Sequence, residues 1–339
     1  MKIFLGGYIN YTNAQNLNCL ALAKHLDSSK FTTYALSVNF LPKIKSKAIL
    51  FHCFYPFRIS SVLGFLWGVI KCDIVYFPKH KSQPVWVLYF AKIIRKKIFT
   101  TIENNMCDIE KESMINSFKG KINLVNYFKY IPNIFGITQY IIDNANCGVK
   151  LENRVLYLGV ESDIYSSKVR NKLKNIVFVG SLNKRKRVGE LLELAEIFPD
   201  INFNIIGDGI DMQSLKIKAA NNVFFFGYLS QLELASKFNE MDLHILPSKS
   251  EGFPKVILEA ASAGIPSIVY SDYGASEWIS NNENGFIVND FEQLTEVILR
   301  LIDNENLFAR NSEGAILLAK KFDWKSVINE WDDVICNLR

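Results

Sequence analysis

Two glutamates eight residues apart, Glu251 and Glu259, have the clearest chemical potential in this sequence. Between them, Gly252 allows the backbone to approach a ligand closely, and Pro254 suits the first turn of a helix. The N–H groups at such a helix start have no partner within the helix, and the helix dipole favours an anion there. A carboxylate accepts two hydroxyl hydrogen bonds at once, which suits the vicinal diol of a ribose or a hexose. The segment predicts a site for a ligand that carries a phosphate and a sugar.

Other residue types that could do chemistry do not form groups. The four histidines stand singly, without the second ligand that a metal site needs, and the six cysteines include no C-x-x-C pair. We therefore predict no metal site, interpret the histidines as structural and expect free thiols in a reducing compartment. These residues are His25, His52, His80 and His244, and Cys19, Cys53, Cys72, Cys107, Cys147 and Cys336.

The elements that position the glutamates are predicted from short apolar runs that alternate with segments of helical periodicity. Strands that are apolar on both faces and separated by helices indicate parallel sheets, and two such series predict two doubly wound α/β halves. The KIFLGG run predicts a strand that ends in a tight turn at Gly6 and Gly7. The other predicted strands lie at 73–77, 97–102 and 133–138, and at 175–180, 201–207, 222–227, 242–247, 266–271 and 285–288.

A length of 339 residues also favours two domains. The polar stretch 161–175 predicts their boundary, which gives an N-terminal domain of residues 1–163 and a C-terminal domain of residues 164–322. Apolar residues recur at helical spacing through the tail 320–339 and predict one amphipathic helix. We expect this helix, from about 323 to 339, to pack back on the N-terminal domain.

The formal net charge of +5 conceals a strong asymmetry. Residues 1–170 carry 22 Lys and Arg against 10 Asp and Glu, and the remainder carries 17 against 24. Such a basic half predicts an anionic partner. We favour a membrane surface over nucleic acid, because no nucleic-acid motif accompanies the charge and the cations surround the apolar segments 59–70 and 84–94. These cations are Lys43, Lys45, Lys47, Arg58, Lys71, Lys79, Lys81, Lys92, Arg95, Lys96 and Lys97.

Location is predicted from the apolar segments. None reaches the roughly 18–20 residues of a membrane span, and the N-terminal apolar run is too short for a signal peptide. We expect a cytoplasmic protein that is attached peripherally to the inner face of the cell membrane.

The segment 247–288 resembles the signature of family-4 (GT4) retaining glycosyltransferases, the glycosyl transferases group 1, whose E-x7-E pattern it realises as Glu251 and Glu259. The resemblance covers essentially the whole chain, densely at 175–290 and thinly at 8–130. It implies the GT-B fold, in which two Rossmann-like domains face each other across a cleft. It also implies a nucleotide-sugar donor held mainly by the C-terminal domain, retention at the anomeric carbon, and no metal or other cofactor. The further matching blocks are Gly6–Gly7, 158–165, 179–187, 205–209 and 225–230.

The resemblance also implies roles for individual residues. Glu259 would hold the ribose hydroxyls and Glu251 the donor sugar, while Arg185 and Lys186 would stabilise the diphosphate leaving group. Where the family usually has an arginine, this chain has Ser181, at most a neutral donor. The remaining expected donor contacts are Gly6 and Gly7 near the phosphate, Gly207, Tyr228 and Leu229 at the base, and Gly252, Phe253, Pro254, Lys255 and Val256 at the sugar and phosphate.

Glu103 occupies the position where the family often has a histidine near the acceptor and the donor sugar. A carboxylate there could accept a proton from an acceptor hydroxyl, so we expect Glu103 in an auxiliary catalytic role beside Lys186 and Glu251. A strand-end carboxylate exposed to solvent is the alternative interpretation. Similarly, the glycine pair Gly6–Gly7 could form only a turn, and the run 184–187 could be only a solvated face.

The leading hypothesis is transfer of a hexose or related sugar from a UDP- or GDP-sugar to a glycan or polyprenyl-phosphate-linked acceptor in surface polysaccharide synthesis. The alternative is a catalytically inert GT-B protein that stabilises another transferase, since Ser181 and Glu103 depart from the family pattern. A sugar-nucleotide epimerase fits the E-x7-E block less well. A nicotinamide dehydrogenase is excluded, because neither predicted strand–turn–helix start carries G-x-G-x-x-G.

Overall fold

The computed structural model describes residues 1–11, 13–78, 84–107 and 113–338 of the chain. Within these residues it contains two six-stranded sheets, in which neighbouring strands run parallel. The chain divides into two compact units: unit one comprises residues 1–158 and 324–339, and unit two comprises residues 159–323. The predicted α/β fold with two doubly wound parallel sheets is confirmed.

The first sheet has the strand order β3-β2-β1-β4-β5-β6. The strands are added outward from β1 on one side and then from β4 on the other, so the strand order reverses between β1 and β4. Its strands other than the edge strand β3 are almost fully buried because helices cover both faces. The strands are β1 (Lys2–Tyr8), β2 (Thr32–Val38), β3 (Ile49–Cys53), β4 (Ile74–Tyr76), β5 (Lys97–Ile102) and β6 (Asn133–Gly136). The helices are α1 (Ala14–His25), α2 (Phe57–Lys71), α3 (Val85–Ile93), α4 (Met114–Ser117), α5 (Lys121–Phe128) and α6 (Gln139–Asp143).

The second sheet repeats this arrangement with the strand order β12-β11-β10-β7-β8-β9. The strands are β7 (Asn175–Val179), β8 (Asn202–Ile206), β9 (Val223–Gly227), β10 (Leu243–Leu246), β11 (Ser267–Tyr270) and β12 (Gly285–Val288). The helices are α7 (Gly189–Ile197), α8 (Met212–Lys218), α9 (Gln231–Phe238), α10 (Lys255–Ser262), α11 (Phe291–Asp303) and α12 (Glu305–Lys321).

The tail forms α13 (Trp324–Cys336), which belongs to unit one and packs against α1. Its two tryptophans are buried, and the indole N–H of Trp331 donates to the Tyr157 carbonyl at 2.9 Å. The helix predicted from about 323 corresponds to α13, but the run 320–339 is not one continuous helix. Because α12 ends at Lys321, Phe322 and Asp323 separate the two helices.

Two features of the first sheet differ from the sequence-based prediction. First, β2 and β3 lie in a part of the chain for which no strand was predicted. Second, Gly6 and Gly7 lie inside β1 and do not form a turn. A Cβ on Gly6 would lie 2.7 Å from the Tyr76 carbonyl oxygen, and one on Gly7 would lie 2.6 Å from the Cys19 Sγ. Close packing therefore requires these glycines.

The expectation of free thiols is wrong for Cys107 and Cys147, which form a disulfide. Their Cα atoms lie 5.3 Å apart although 40 positions separate them in sequence, so only the fold brings them together. The other four cysteines form no disulfide, and burial raises the pKa of the Cys53 thiol to about 11. His80 lies outside the described residues.

No helix in the described part of the chain is both long enough and apolar enough to cross a membrane.

Candidate functional site

Most of the predicted donor-site residues lie at one edge of the second sheet. This is the edge at the carboxyl ends of the strands, where parallel α/β sheets generally bind ligands. Four loops contribute, one after each of β7, β8, β9 and β10. They carry Ser181, Arg185 and Lys186; Gly207; Tyr228 and Leu229; and Glu251, Gly252, Phe253 and Pro254, with Lys255, Val256 and Glu259 following on α10.

An ion-paired group lies at the centre of this edge. The Nζ of Lys186 lies 2.5 Å from Oε1 of Glu251, and a guanidinium nitrogen of Arg185 lies 3.1 Å from the same oxygen. The side chains of Lys186 and Glu251 are only 10% and 11% exposed. Burial lowers the pKa of the Lys186 ammonium, and the neighbouring Glu251 partly opposes this effect. These three residues, which separate sequence patterns predicted, therefore lie in contact with one another.

Local backbone geometry holds the two cations at this position. The Asn183 side chain accepts a hydrogen bond from the Lys186 N–H at 3.3 Å and caps a short turn at 184–186. This turn buries Lys186 and leaves Lys184 exposed. Arg185 also donates to the carbonyl of Ser250, so the loops after β7 and β10 are bonded to each other. Basic side chains in the run 184–187 are therefore not all on a solvated face.

The helix N-terminus next to Glu251 has the predicted form. Pro254 precedes α10 as its N-cap, with no capping hydrogen bond from a side chain and no acidic residue in the first turn. Phe253 anchors the loop, because its ring packs on those of Trp278 and Phe322 at centroid distances of 5.2 and 5.6 Å. Gly264 ends the segment in the left-handed region at φ +77°. The positive end of the α10 dipole thus lies beside the Glu251 loop.

Glu259 lies one turn into α10, four residues after Lys255. It is half-buried, and no described residue forms a hydrogen bond or ion pair with its carboxylate within the distances that define them. Burial raises the pKa of this carboxyl group, and Lys255 partly opposes the rise. A carboxylate with unused acceptor positions at this edge can accept hydroxyl hydrogen bonds from a ligand.

Glycines bring the loops after β7 and β8 close together. Gly207 has φ +127°, its N–H donates to the Gly227 carbonyl at 2.7 Å, and a Cβ on it would lie 1.9 Å from the Gly180 oxygen. Tyr228 is exposed and Leu229 half-buried directly after β9. Gly207, Tyr228 and Leu229 therefore lie close to one another. The exposed Ser181 hydroxyl accepts from the Asn183 side chain at 3.1 Å.

Several buried polar atoms of unit two belong to residues that the sequence did not predict as site residues. The Nε2 of His244, the hydroxyl of Ser248 and the hydroxyl of Tyr273 are buried without a hydrogen-bond partner among the described residues. His244 hydrogen bonds to Ser267 through Nδ1 at 3.0 Å, and burial, with a smaller effect of Lys186, lowers its pKa to about 3. Isolated His, Ser and Tyr residues have no spacing pattern, so the sequence offered no signal for them.

The other predicted residues lie in unit one. Glu103 follows β5, is half-buried, and accepts a hydrogen bond from the Asn18 side chain of α1 at 3.0 Å. The charge of Glu103 also contributes to a pKa of the buried Tyr76 hydroxyl well above its usual value, although burial is the larger cause. Gly6 and Gly7 lie in β1 of the same sheet. The structure does not bring Glu103, Gly6 and Gly7 together with Lys186 within one unit.

The fold and the edge of the second sheet define a two-domain α/β protein of the glycosyltransferase class. A family model described as "Glycosyl transferases group 1" matches residues 160–317, which include every predicted site residue of unit two. The chain is 32% identical over 308 residues to an uncharacterized 41.2 kDa protein in the cps region of Klebsiella pneumoniae, with 81% of this chain and 83% of that protein covered. The chain belongs to the glycosyl transferases group 1 family.

More distant relatives carry specific names. An Escherichia coli UDP-Gal:α-D-GlcNAc-diphosphoundecaprenol α-1,3-galactosyltransferase is 30% identical over 131 residues, which cover 36% of this chain and 33% of the relative. The chain spans 51% and 62% of the length of two other curated relatives that it matches. Among solved structures, Anabaena HepE in complex with UDP-glucose aligns with a TM-score of 0.78 over 100% of both chains at 17% identity. This likeness supports the GT-B fold.

Proposed function

We propose that this protein is a GT4 enzyme that transfers a hexose or related sugar, with retention of anomeric configuration, from a UDP- or GDP-sugar donor. The observation that carries the proposal is the buried contact of Lys186 and Arg185 with Glu251 beside the N-terminus of α10. Two cations and a helix dipole at one point suit a diphosphate, and two carboxylates suit sugar hydroxyls.

The cations stabilise the leaving group. As the bond between the anomeric carbon and the diphosphate breaks, negative charge develops on the phosphate oxygen that leaves. Lys186 has three donor positions and uses one on Glu251, so the others are available to a phosphate. A bound diphosphate would also offset the charge of a buried ammonium whose pKa is lowered by desolvation. Because the cations are side chains of this chain, we expect no metal requirement.

The carboxylates orient the donor. Glu251 contacts the sugar, Glu259 holds the ribose hydroxyls, and Gly207, Tyr228 and Leu229 border the base. Backbone groups of 252–256 and the exposed Ser181 complete the donor contacts. This assignment uses the free acceptor positions of Glu259 and the proximity of the β8 and β9 loops.

The transfer step needs no protein nucleophile. The acceptor oxygen bonds to the anomeric carbon on the face from which the diphosphate leaves, and the acceptor proton passes to the leaving phosphate oxygen. Glu103 assists by accepting a hydrogen bond from the acceptor hydroxyl until its proton passes to the phosphate, and we expect Gly6 and Gly7 near the phosphate. The C-terminal domain, predicted as 164–322, holds the donor, and the N-terminal domain, predicted as 1–163, holds the acceptor.

Named relatives support a donor and an acceptor class. HepE is solved with UDP-glucose, and the E. coli relative is named for a UDP-sugar donor and a diphosphoundecaprenol-linked acceptor. The Klebsiella relative is named for its cps region. We therefore propose a glycan or polyprenyl-phosphate-linked acceptor in surface polysaccharide synthesis.

The outward surface of α2 and α3 supports attachment to the inner face of the cell membrane. The two helices contact each other, and Ile59, Leu63 and Ile70 on α2 and Trp86 and Ile93 on α3 are exposed. Basic residues surround this surface, and each contributes about 1 kcal/mol near anionic lipid. The exposed ones include Arg58, Lys71, Lys92 and Arg95, whereas Lys79 and Lys81 of the predicted set lie outside the described residues.

Vesicle sedimentation tests this attachment. We expect binding to vesicles with anionic lipid, loss of binding at high salt, and weaker binding of Trp86→Ser than of Ile122→Ser, which removes an exposed apolar residue on α5. Equal binding to neutral vesicles, or none to either kind, would contradict the proposal.

Sugar transfer tests the enzymatic role. Radiolabelled UDP- and GDP-sugars are incubated with lipid-linked acceptors and with the wild type, Lys186→Ala and Glu259→Ala. Lys184→Ala is the matched control, because this exposed lysine is two positions from Lys186. We expect a loss of about 10²–10³-fold in kcat for Lys186→Ala and none for the control. Calorimetric titration with UDP and GDP then separates an inert protein, which need not bind either nucleotide, from an enzyme that lacks its acceptor.

A further inference from the structure

A cavity of about 500 Å³ opens at the carboxyl edge of the first sheet. It lies where β1 and β2 end and where α2 begins, and its volume is within the range of about 300–1,000 Å³ typical of small-molecule sites. It shares no residue with the donor site of unit two. Its lining residues are Tyr8, Tyr11, Val38, Phe40, Phe57, Arg58, Ser61, Val62 and Pro84.

The wall of this cavity is mainly apolar. The Phe57 ring packs between those of Tyr8 and Phe40, at centroid distances of 5.4 and 6.3 Å. The Tyr8 hydroxyl on this wall is bonded to Ser61, and burial raises its pKa to about 12. The lining therefore offers few free hydrogen-bonding groups to a saccharide and suits a hydrocarbon.

Among the described residues that line the cavity, Arg58 is the one with a charged side chain, and it is exposed. No acidic residue occurs between residues 28 and 72, so no nearby carboxylate of this segment competes for the guanidinium. A guanidinium binds phosphate oxygens with two parallel hydrogen bonds. The cavity thus favours a ligand with an apolar body and an anionic end.

Exposed apolar residues of α2 and α3 lie next in sequence to residues that line the cavity. Ile59 and Leu63, which neighbour the lining residues Arg58 and Val62 on α2, are exposed, and Pro84 leads directly to the exposed Val85. A hydrocarbon chain longer than the cavity would therefore have exposed apolar side chains of the same two helices available to it.

We propose that this cavity binds the isoprenoid segment next to the phosphate of a polyprenyl-phosphate acceptor, with Arg58 on the phosphate. The identity of the lipid rests on the proposed function. The proposal adds to that function by assigning the lipid end of the acceptor to specific residues. A saccharide or a free phosphate as the occupant is an outcome that the test can reveal.

Calorimetric titration of the full chain with farnesyl phosphate, below its micellar concentration, tests the proposal. Saturating UDP is present so that the lipid phosphate does not occupy a diphosphate site. Farnesol, inorganic phosphate and a free oligosaccharide are titrated separately. We expect farnesyl phosphate to bind, farnesol to bind at least about tenfold more weakly because it lacks the partner of Arg58, and inorganic phosphate not to bind measurably.

Two pairs of variants locate the binding. Phe40→Ser and Arg58→Glu change side chains that are exposed, so both proteins should fold, which their thermal unfolding checks; Phe40 is 69% exposed. Ile122→Ser, at a residue 77% exposed, and Lys150→Glu are the matched controls elsewhere on unit one. We expect the first pair to weaken farnesyl phosphate binding about tenfold or more and the controls to change it less than twofold.

The outcomes distinguish this inference from the proposed function. No binding of farnesyl phosphate to the wild type, or equal weakening by controls and cavity variants, overturns the cavity assignment. Binding of a free oligosaccharide or phosphate that Phe40→Ser and Arg58→Glu abolish also overturns it. Titration with UDP alone reports on the donor site, so failure of nucleotide binding would count against the proposed function and leave the lipid result to be judged separately.

Discussion

Replacing Glu259 by glutamine should stabilise the protein at neutral pH while weakening donor binding. Glutamine is nearly isosteric and neutral, so it removes the cost of a half-buried charge for which the described residues supply no hydrogen bond. Each pKa unit by which burial raises the carboxyl pKa corresponds to about 1.4 kcal/mol. For a unit of 165 residues, 159–323, each kcal/mol shifts the midpoint of thermal unfolding by about 2–4 °C.

The pH dependence follows from the direction of the shift. Because the folded-state pKa of Glu259 is raised above 4.5, the folded protein binds more protons than the unfolded chain between 4.5 and the raised value. The wild type therefore loses stability as the pH rises through this window. The variant should match the wild type below pH 4.5 and unfold at a higher temperature near pH 8.

Donor binding should change in the opposite direction. If Glu259 holds the ribose hydroxyls, its replacement loses hydrogen bonds to a charged group, each worth about 1.5–3 kcal/mol, or roughly 10- to 150-fold in affinity. Thermal unfolding between pH 4 and 8 and titration with UDP measure the two effects. Glu196→Gln, at an exposed glutamate of the same unit, is the control and should change neither. Unchanged nucleotide affinity would refute the assignment of Glu259 as a ligand-binding carboxylate, and loss of stability at pH 8 would refute the argument that its buried charge is costly.

Three substitutions test the packing that supports the fold, each by urea unfolding. Gly207→Ala should cost at least about 1–3 kcal/mol, because φ is +127° and the new Cβ meets the Gly180 oxygen, whereas Gly189→Ala has open space and should not destabilise. Arg170→Met should cost about 2–4 kcal/mol, since the buried guanidinium donates to three backbone carbonyls; an unchanged midpoint would show that water replaces it. Trp331→Phe should cost about 1–2 kcal/mol through the lost indole hydrogen bond, and no change would mean that this bond contributes nothing net.

Local sequence patterns were sufficient to predict the strands in the second half of the chain. Each of its six strands was predicted within about two residues, because apolar runs buried on both faces are bounded by Gly, Pro or polar residues. The helix start after Pro254 was also predicted, since it depends on the conformational limits of proline.

The first half was harder to predict for physical reasons. The strand β3 lies at the edge of its sheet and is partly exposed. Its sequence ILFHC therefore does not show the pattern of a strand that is buried on both faces. Gly6 and Gly7 were predicted to form a turn because glycine marks turns and close backbone approaches equally. Only the positions of Tyr76 and Cys19 distinguish the two.

The sequence by itself determined the α/β class, the order of elements in the second half, and the residue types of the candidate donor site. These follow from period and local conformational preference, which act over a few residues. The tertiary structure decided that Lys186 and Arg185 share one oxygen of Glu251, that Glu259 is a carboxylate without a hydrogen-bonding partner among the described residues, and that Cys107 pairs with Cys147. It also decided that described residues of β1, β2, α2 and the adjoining loops line a mainly apolar cavity. Such contacts join positions far apart in the chain, and one sequence carries no local signal for them.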